Sequence, residues 1–413
     1  MPGGPTKEAP TESTQLLKSR TTEGTATGPQ LALNIVVCGL GTGLFTLPWS
    51  LAGASCFLGV GIVAFVLALN AWTIFLLVEA AEVYQAFDIG SLLSHLPGQM
   101  GHTLPRVVNF TIWVGGFFCL VSYVIVIADC AAPFAQTISP WRLKALASLL
   151  VLPLCFLDQR WLSMTSSLSV AAVVVVFWLL LRLSHDTQEF PSLCLAGLSW
   201  GTISMFASMM QTVILQMCVL PMYGEMKDRS PGSFERVVLW SFLILFKICA
   251  FFAVLGYLIF GPDVKSNVLL SLPESFSGKM ARLCAGASVM GVYPLILKSM
   301  VATFHSPGHN SNPATVHFGI GAIVAAVLLT SLCLSDLGKL NIVNGAVSTS
   351  VFVAVVPFVV GLHLLERVQQ SFTLRMGLLM LLVFGVLGSI LALLLDDNYE
   401  QELSAACFWK IHL

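Results

Sequence analysis

Residues 31–55 read LALNIVVCGLGTGLFTLPWSLAGAS. The stretch has the length of a membrane span and the composition of a broken one. Gly39, Gly41 and Gly43 are followed by Pro48, and in a helix interior glycine costs about 1 kcal/mol and proline about 3 kcal/mol against alanine. At a break, unpaired N–H groups carry the positive end of a half-helix dipole, which inside a bilayer is a seat for a carboxylate. Closely spaced glycines also let a second helix approach, so this stretch alone leaves both readings open.

The stretch GLSWGTISMFASMMQTVILQMCVLPMYGEMKD at residues 197–228 decides between them. It combines Gly201, a polar run at Ser204, Ser208, Gln211 and Thr212, and Pro221, and it lies five spans after the first. Two interrupted helices in matching positions point to a transporter built from inverted repeats around a central site. Spans 1–5 and 6–10 are then the repeats, and span 11 is an addition.

The rest of the chain supports a polytopic membrane protein. Of 413 residues, 56% are hydrophobic and 10% charged, against about 45–50% and about 25% in soluble domains. Apolar runs place spans near 31–54, 57–83, 107–134, 142–157, 164–183, 198–221, 237–260, 279–302, 315–334, 340–363 and 374–395. Their length and lack of alternation specify helices and exclude a β-barrel, so the fold class is all-α. A net charge of −1 gives no sign of nucleic-acid binding. The organisation reads as a cytosolic tail over 1–30, an eleven-helix body over 31–395 and a short non-cytosolic tail over 396–413. With the N-terminus cytosolic, ten Lys and Arg lie inside and eight outside, a vote in the sense of the positive-inside rule. The segment 84–105 reads either as an amphipathic interfacial helix through Leu92, Leu93, Leu96 and Met100 or as a plain loop.

The first thirty residues hold seven Thr and no aromatic residue, too little apolar surface to offset the entropy of ordering, and they lack the early apolar core of a signal peptide. Glu12, then Leu16 and Leu17, resembles the acidic dileucine signal through which adaptor complexes sort cargo to endosomes, lysosomes or vacuoles. Most of the eleven Cys sit inside apolar spans as small hydrophobes. Only Cys194 and Cys407 fall in segments placed on the non-cytosolic side, and the sequence leaves their pairing open. The sequon at Asn109 lies too near the bilayer for a glycan.

Four stretches resemble the amino acid/auxin permease family of the amino acid, polyamine and organocation transporter superfamily. They are GTGLFTLPWSLAG in span 1, YGEMKDRSP after span 6, GYLIFGPDVKSNVLLSLP from span 7 into the next loop, and YPLILKS in span 8. The resemblance implies a LeuT-type 5+5 inverted-repeat fold with an eleventh helix, and transport of free amino acids driven by protons or sodium, with no other cofactor. By the same resemblance, Gly41, Thr42 and Gly43 match the unwound segment that holds the substrate carboxylate. Phe206, Ala207 and Ser208 match the unwound part of span 6, whose carbonyls accept from the substrate amine. Ser122 and Tyr123 of span 3 face the site by analogy, although a buried tyrosine with a satisfied hydroxyl is the commoner arrangement.

Charges at membrane depth cost about 2.5–3.5 kcal/mol on insertion scales, and each calls for an explanation. Glu79, Glu82 and Lys298 stand near span ends, within snorkelling reach. Lys247 sits near the middle of span 7 and Asp129 late in span 3. Either is a candidate for proton coupling, with Asp129 a possible partner of Lys247, set against a fixed ion pair or two snorkelling residues. Sodium coupling instead calls for oxygens from spans 1 and 8, for which Asn34, Thr42 and Ser288 are candidates. The expected function is a secondary amino acid transporter working as a monomeric unit, on an endomembrane in preference to the plasma membrane. A sensor that binds an amino acid and signals through its tail is the alternative. No ring-forming filter sequence supports a channel. An enzyme is not expected, since there is no H-E-x-x-H and the eight His form no metal-spaced cluster.

Overall fold

The computed structural model describes residues 24–156, 159–187, 190–302, 313–395 and 406–411. Span 1 consists of Gly28–Cys38 and Thr42–Ala54, bent by 46° at the break between them. Span 2 is Cys56–Tyr84, span 3 Met100–Ala131, span 4 Pro140–Leu154 and span 5 Gln159–Asp186. Span 6 is again divided, into Gly201–Thr212 and Gln216–Gly224. Span 7 is Pro231–Phe260, span 8 Phe276–Ala302 and span 9 Pro313–Cys333. Span 10 runs from Leu337 to Leu364 through a π-helical segment at Thr349–Val355, and span 11 is Phe372–Leu394. Among the described residues, seven helices are long and apolar enough to cross a membrane, and an eighth if the bent first pair counts as one.

The packing repeats with a period of five spans. Span 1 packs on span 6, 2 on 7, 3 on 8 and 4 on 9, pairs that survive an exchange of spans 1–5 with 6–10. The same exchange converts 1 against 7 into 6 against 2, and 3 against 4 into 8 against 9. It also converts 4 against 8 into 9 against 3, 5 against 8 into 10 against 3, and 5 against 7 into 10 against 2. Because five is odd, a chain threaded through a bilayer presents the second repeat upside down. Span 11 lies outside the exchange, against span 10.

Three features depart from the sequence reading. Span 3 begins at Met100, about two turns before the expected residue 107, after a short helix Ile89–Ser94 whose N-cap Asp88 accepts from the Ser91 amide. Leu92, Leu93 and Leu96 of that region are buried. Helix also begins at Gly28, inside the expected tail, because Pro29 is tolerated at the first turn and Thr27 and Gln30 form a capping box. Finally, a two-stranded element joins the helices: β1 Leu193–Gly197 pairs antiparallel with β2 Cys407–Ile411, and a disulfide links Cys194 to Cys407. This two-stranded sheet is fixed to the body by Ser55 Oγ donating to the Gly197 carbonyl at 3.0 Å and by the Cys194 amide donating to Tyr257 Oη at 3.0 Å.

Candidate functional site

The two helix breaks meet. A Cβ added to Gly43 would lie 2.5 Å from Thr212 Oγ1 and 3.0 Å from Thr212 Cα, so only glycine lets the refolding turn of span 1 pass the last turn of span 6's first half. Thr212 Oγ1 donates to the Ser208 carbonyl at 2.9 Å, and Thr46 Oγ1 to the Gly43 carbonyl at 2.8 Å. Both breaks are therefore braced by local side-chain bonds. Two residues earlier, a Cβ added to Gly41 would meet no atom within 4 Å. One side of the break is packed and the other is open.

The open side lies within the bundle. Cys38, at the end of span 1's first half, is exposed, yet its thiol is in interaction range of Cys218 in span 6's second half and in electrostatic range of Tyr123 in span 3. Asn34, one turn before Cys38 on the same face, is also exposed. An exposed face turned towards two neighbouring spans borders an open cleft. Tyr123 itself is buried, with its ring 6.4 Å from that of Tyr293 in span 8.

Span 10 closes over the packed side. Asn341 Nδ2 donates to Thr46 Oγ1 at 3.3 Å, and Asn344 Nδ2 to the Gly115 carbonyl of span 3 at 3.3 Å. Gly345 has no room for a side chain, because the Ala207 carbonyl of span 6 occupies that space. Where these helices meet, Ser208 Oγ, Gln211 Oε1 and Asn344 Oδ1 are buried with no hydrogen-bond partner among the described residues. Unpaired oxygens in a dry interior are costly, and they are the atoms that a bound cation or ammonium needs.

A polar knot holds span 6 on the far side of its break. Gln216 Nε2 donates to Asn70 Oδ1 at 2.7 Å and to Thr73 Oγ1 at 3.1 Å, and Asn70 Nδ2 donates to the Val66 carbonyl at 2.8 Å. All three side chains are fully buried. Scanning the spans for charges passes over such amides; the readable signal was an Asn and a Gln inside otherwise apolar helices.

Several expected roles change. Phe206, Ala207 and Ser208 lie in the continuous helix Gly201–Thr212, and the break falls at Val213–Leu215. The helix persists there because the 201–212 segment contains neither glycine nor proline after its first residue, while Gln216 is anchored elsewhere. Asp129 and Lys247 do not pair: Asp129 Oδ2 accepts from Asn267 Nδ2 at 2.8 Å, and Lys247 is exposed on the outer face of span 7 beside spans 2 and 5. Span 7 presents its packed face to the bundle through Leu245, Cys249 and Phe252, which turns Lys247 outward. Ser122 Oγ donates to the Phe118 carbonyl of its own helix at 3.1 Å. Asn34 and Ser288 sit on elements with different neighbours, the first half of span 1 against span 7, and span 8 against spans 3 and 5. Glu79 pairs with Arg367 at 3.2 Å, and Glu82 accepts from Arg229 Nε at 3.0 Å and Tyr223 Oη at 2.8 Å. Glu12, Leu16 and Leu17 lie outside the described residues.

The recognisable stretches also acquire structural roles. In YGEMKDRSP, the Glu225 carbonyl accepts from the Ala26 amide at 3.0 Å and the Lys227 amide donates to the Ala26 carbonyl at 2.9 Å, clasping the segment that leads into span 1. In the long run after span 7, Asn267 caps the helix Val268–Ser271 and holds Asp129. Arg282, buried in span 8, donates to the carbonyls of Leu269 at 2.8 Å and of Leu272.

Comparison with known proteins agrees with this geometry. The family model described as transmembrane amino acid transporter protein matches residues 24–395. The putative sodium-coupled neutral amino acid transporter 11 of Rattus norvegicus is 21% identical over 420 residues, covering 95% of this chain and 91% of that protein. Among solved structures, the inward facing conformation of Mhp1 superposes with a TM-score of 0.58 at 12% identity, over 94% of this chain and 92% of that one. The Eremococcus coleocola manganese transporter, in complex with an aromatic bis-isothiourea substituted compound, gives 0.57 at 14% identity, over 97% and 92%. These likenesses establish the LeuT-type fold.

Proposed function

The chain belongs to the transmembrane amino acid transporter family, and on that premise we propose that it is a sodium-coupled carrier of neutral amino acids, loaded where the two broken helices meet. The observation that carries the reading is the junction of Gly43 with Thr212 beside the open space at Gly41. There the amides of Gly41, Thr42 and Gly43, at the start of a helical segment, are placed for a carboxylate. The carbonyls ending the helix at Thr212 are placed for the substrate ammonium, which moves that role from Phe206, Ala207 and Ser208 towards Val213–Leu215. Ser208, Gln211 and Asn344 offer unpaired oxygens to the same cationic chemistry. Neutral substrates suit a cleft bordered by Cys38, Cys218 and Tyr123, none of them charged. Sodium is favoured as the coupling ion by the name of the rat relative.

Exposure of Asn34 and Cys38, together with the closure of span 10 over Thr46, describes a state open on the side of the N-terminal tail. With that tail cytosolic, as the balance of basic residues favours, the cleft faces the cytosol. One chain supplies both breaks, which supports a monomeric transport unit. The Glu12, Leu16, Leu17 pattern supports adaptor-dependent residence on an endomembrane. Uptake of a labelled amino acid panel into proteoliposomes, at acidic and neutral pH, with and without a sodium gradient, tests the proposal. We expect sodium-dependent uptake and counterflow of small neutral amino acids. Absence of counterflow for every amino acid tried removes the transport reading.

A further inference from the structure

Lys247 is a basic side chain that the proposed transport site leaves unused. Span 7 is 30 residues long, about 45 Å at 1.5 Å per residue, and Lys247 stands within about 2 Å of its middle. In a hydrocarbon core about 30 Å thick, its Cα is about 13 Å from the nearer edge, beyond the reach of its stem. It is exposed, and among the described residues no hydrogen bond or ion pair reaches it. The acidic side chains nearest in kind are committed elsewhere: Glu79 to Arg367, Glu82 to Arg229, and Asp129 to Asn267. A second copy of this chain therefore offers Lys247 no described mid-depth carboxylate.

The lysine lies in a shallow, largely open depression between spans 2, 5 and 7, lined otherwise by Val60, Phe177, Ile248, Ala250, Phe251 and Val254. Its walls are aliphatic and aromatic. We propose that this groove binds a long-chain free fatty acid, with the carboxylate on Lys247 and the chain against Phe177, Phe251 and Val254. The chemistry selects this occupant over a phospholipid. A fatty acid reaches mid-depth as the uncharged acid and forms with the amine a hydrogen-bonded pair of zero net charge, so neither partner has to carry an isolated charge into hydrocarbon. A phosphate stays ionised and is held at the interface. A sterol has no acid group to complete that pair.

Binding here is separate from transport, and the test reads binding alone. The full-length protein in nanodiscs is photolabelled with a palmitic acid analogue carrying a diazirine in its chain, and the labelled peptides are mapped. Labelling is expected on the peptides containing Val60, Phe177 and Phe251, with about tenfold loss in Lys247→Met, roughly 1.4 kcal/mol of lost affinity, and retention in Lys247→Arg. Val254→Trp, which fills the groove and keeps the lysine, should also lose the label. Oleate should compete and methyl oleate should not. Equal labelling of Lys247→Met, equal competition by the ester, or competition by phosphatidylserine matching that of oleate overturns the proposal.

Discussion

The breaks of spans 1 and 6 do the same geometric work by different means. Span 1 carries its interruption in its own sequence, three glycines within five residues, Gly39, Gly41 and Gly43, at the turn between Cys38 and Thr42. Span 6 breaks at Val213, Ile214 and Leu215, none of which disrupts a helix by itself. It is interrupted from outside: Thr212 is held against Gly43, and Gln216, four residues on, is held by Asn70 and Thr73 of span 2. One break is encoded locally, and the other is imposed by partners. Unwinding of span 6 therefore depends on its neighbours' positions.

The largest effect should come from the contact the two breaks share. In Gly43→Leu, the new side chain meets Thr212 Cα, backbone that cannot rotate away. Overpacking of this kind costs about 1–3 kcal/mol, and transport should be lost while some folded protein remains. Substrate uptake and thermal unfolding measured on the same preparation check it. Wild-type uptake by Gly43→Leu would mean that the breaks do not constrain each other.

Next in size is Gln216→Leu, which leaves Asn70 Oδ1 buried without its donor. A buried group deprived of its partner costs about 1–3 kcal/mol, visible as a lower unfolding midpoint. Uptake should fall further than the stability loss alone explains, since the brace for span 6 is gone. Asn70→Leu combined with Gln216→Leu should recover stability and leave uptake low. Recovery of both would show that the knot only stabilises and does not place the break.

The same contrast explains what the sequence displayed. Apolar density marks the spans because hydrocarbon demands long apolar helices with internally satisfied backbones, and among the described residues seven helices are long and apolar enough to cross a membrane. Glycine gave the first break because its cost is local. The second break was assigned to Phe206–Ser208, one and a half turns early, since nothing in its own residues marks it and the anchoring partners lie about 140 positions away in sequence. Charge drew attention to Asp129 and Lys247 as a pair, but pairing depends on which face of span 7 turns inward, and hydrophobicity on both faces conceals that. Asn267, the true partner of Asp129, stood in the most recognisable run of the chain. Cys194 and Cys407 can be proposed as neighbours by topology alone, and their pairing is settled by the two-stranded sheet that brings their Cα atoms to 5.9 Å.

A smaller effect separates local from imposed breaks directly. Asn341 Nδ2 on Thr46 Oγ1 is the outside brace of span 1, as Gln216 is of span 6. Because the glycines already interrupt span 1, Asn341→Ala should cost about 0.5–1.5 kcal/mol, the value of one hydrogen bond, with uptake largely kept. If Asn341→Ala instead abolishes uptake as Gln216→Leu does, both breaks are imposed from outside and the distinction between them fails.

The smallest structural effect belongs to Gly41→Ala. The added methyl meets open space, so stability should stay within about 0.5 kcal/mol of the wild type, as for substitutions away from packed features. The same methyl projects into the cleft where the substrate carboxylate is proposed to sit. Uptake should therefore show a raised KM with a maximal rate near normal, the sign of weakened binding without an altered cycle. Gly43→Leu and Gly41→Ala lie two residues apart on one strand of backbone. One should arrest the carrier and the other should only loosen its hold on substrate, because the first residue faces a helix and the second faces the cavity. An unchanged KM in Gly41→Ala would move the carboxylate site away from the first break, leaving the second break as the seat of recognition.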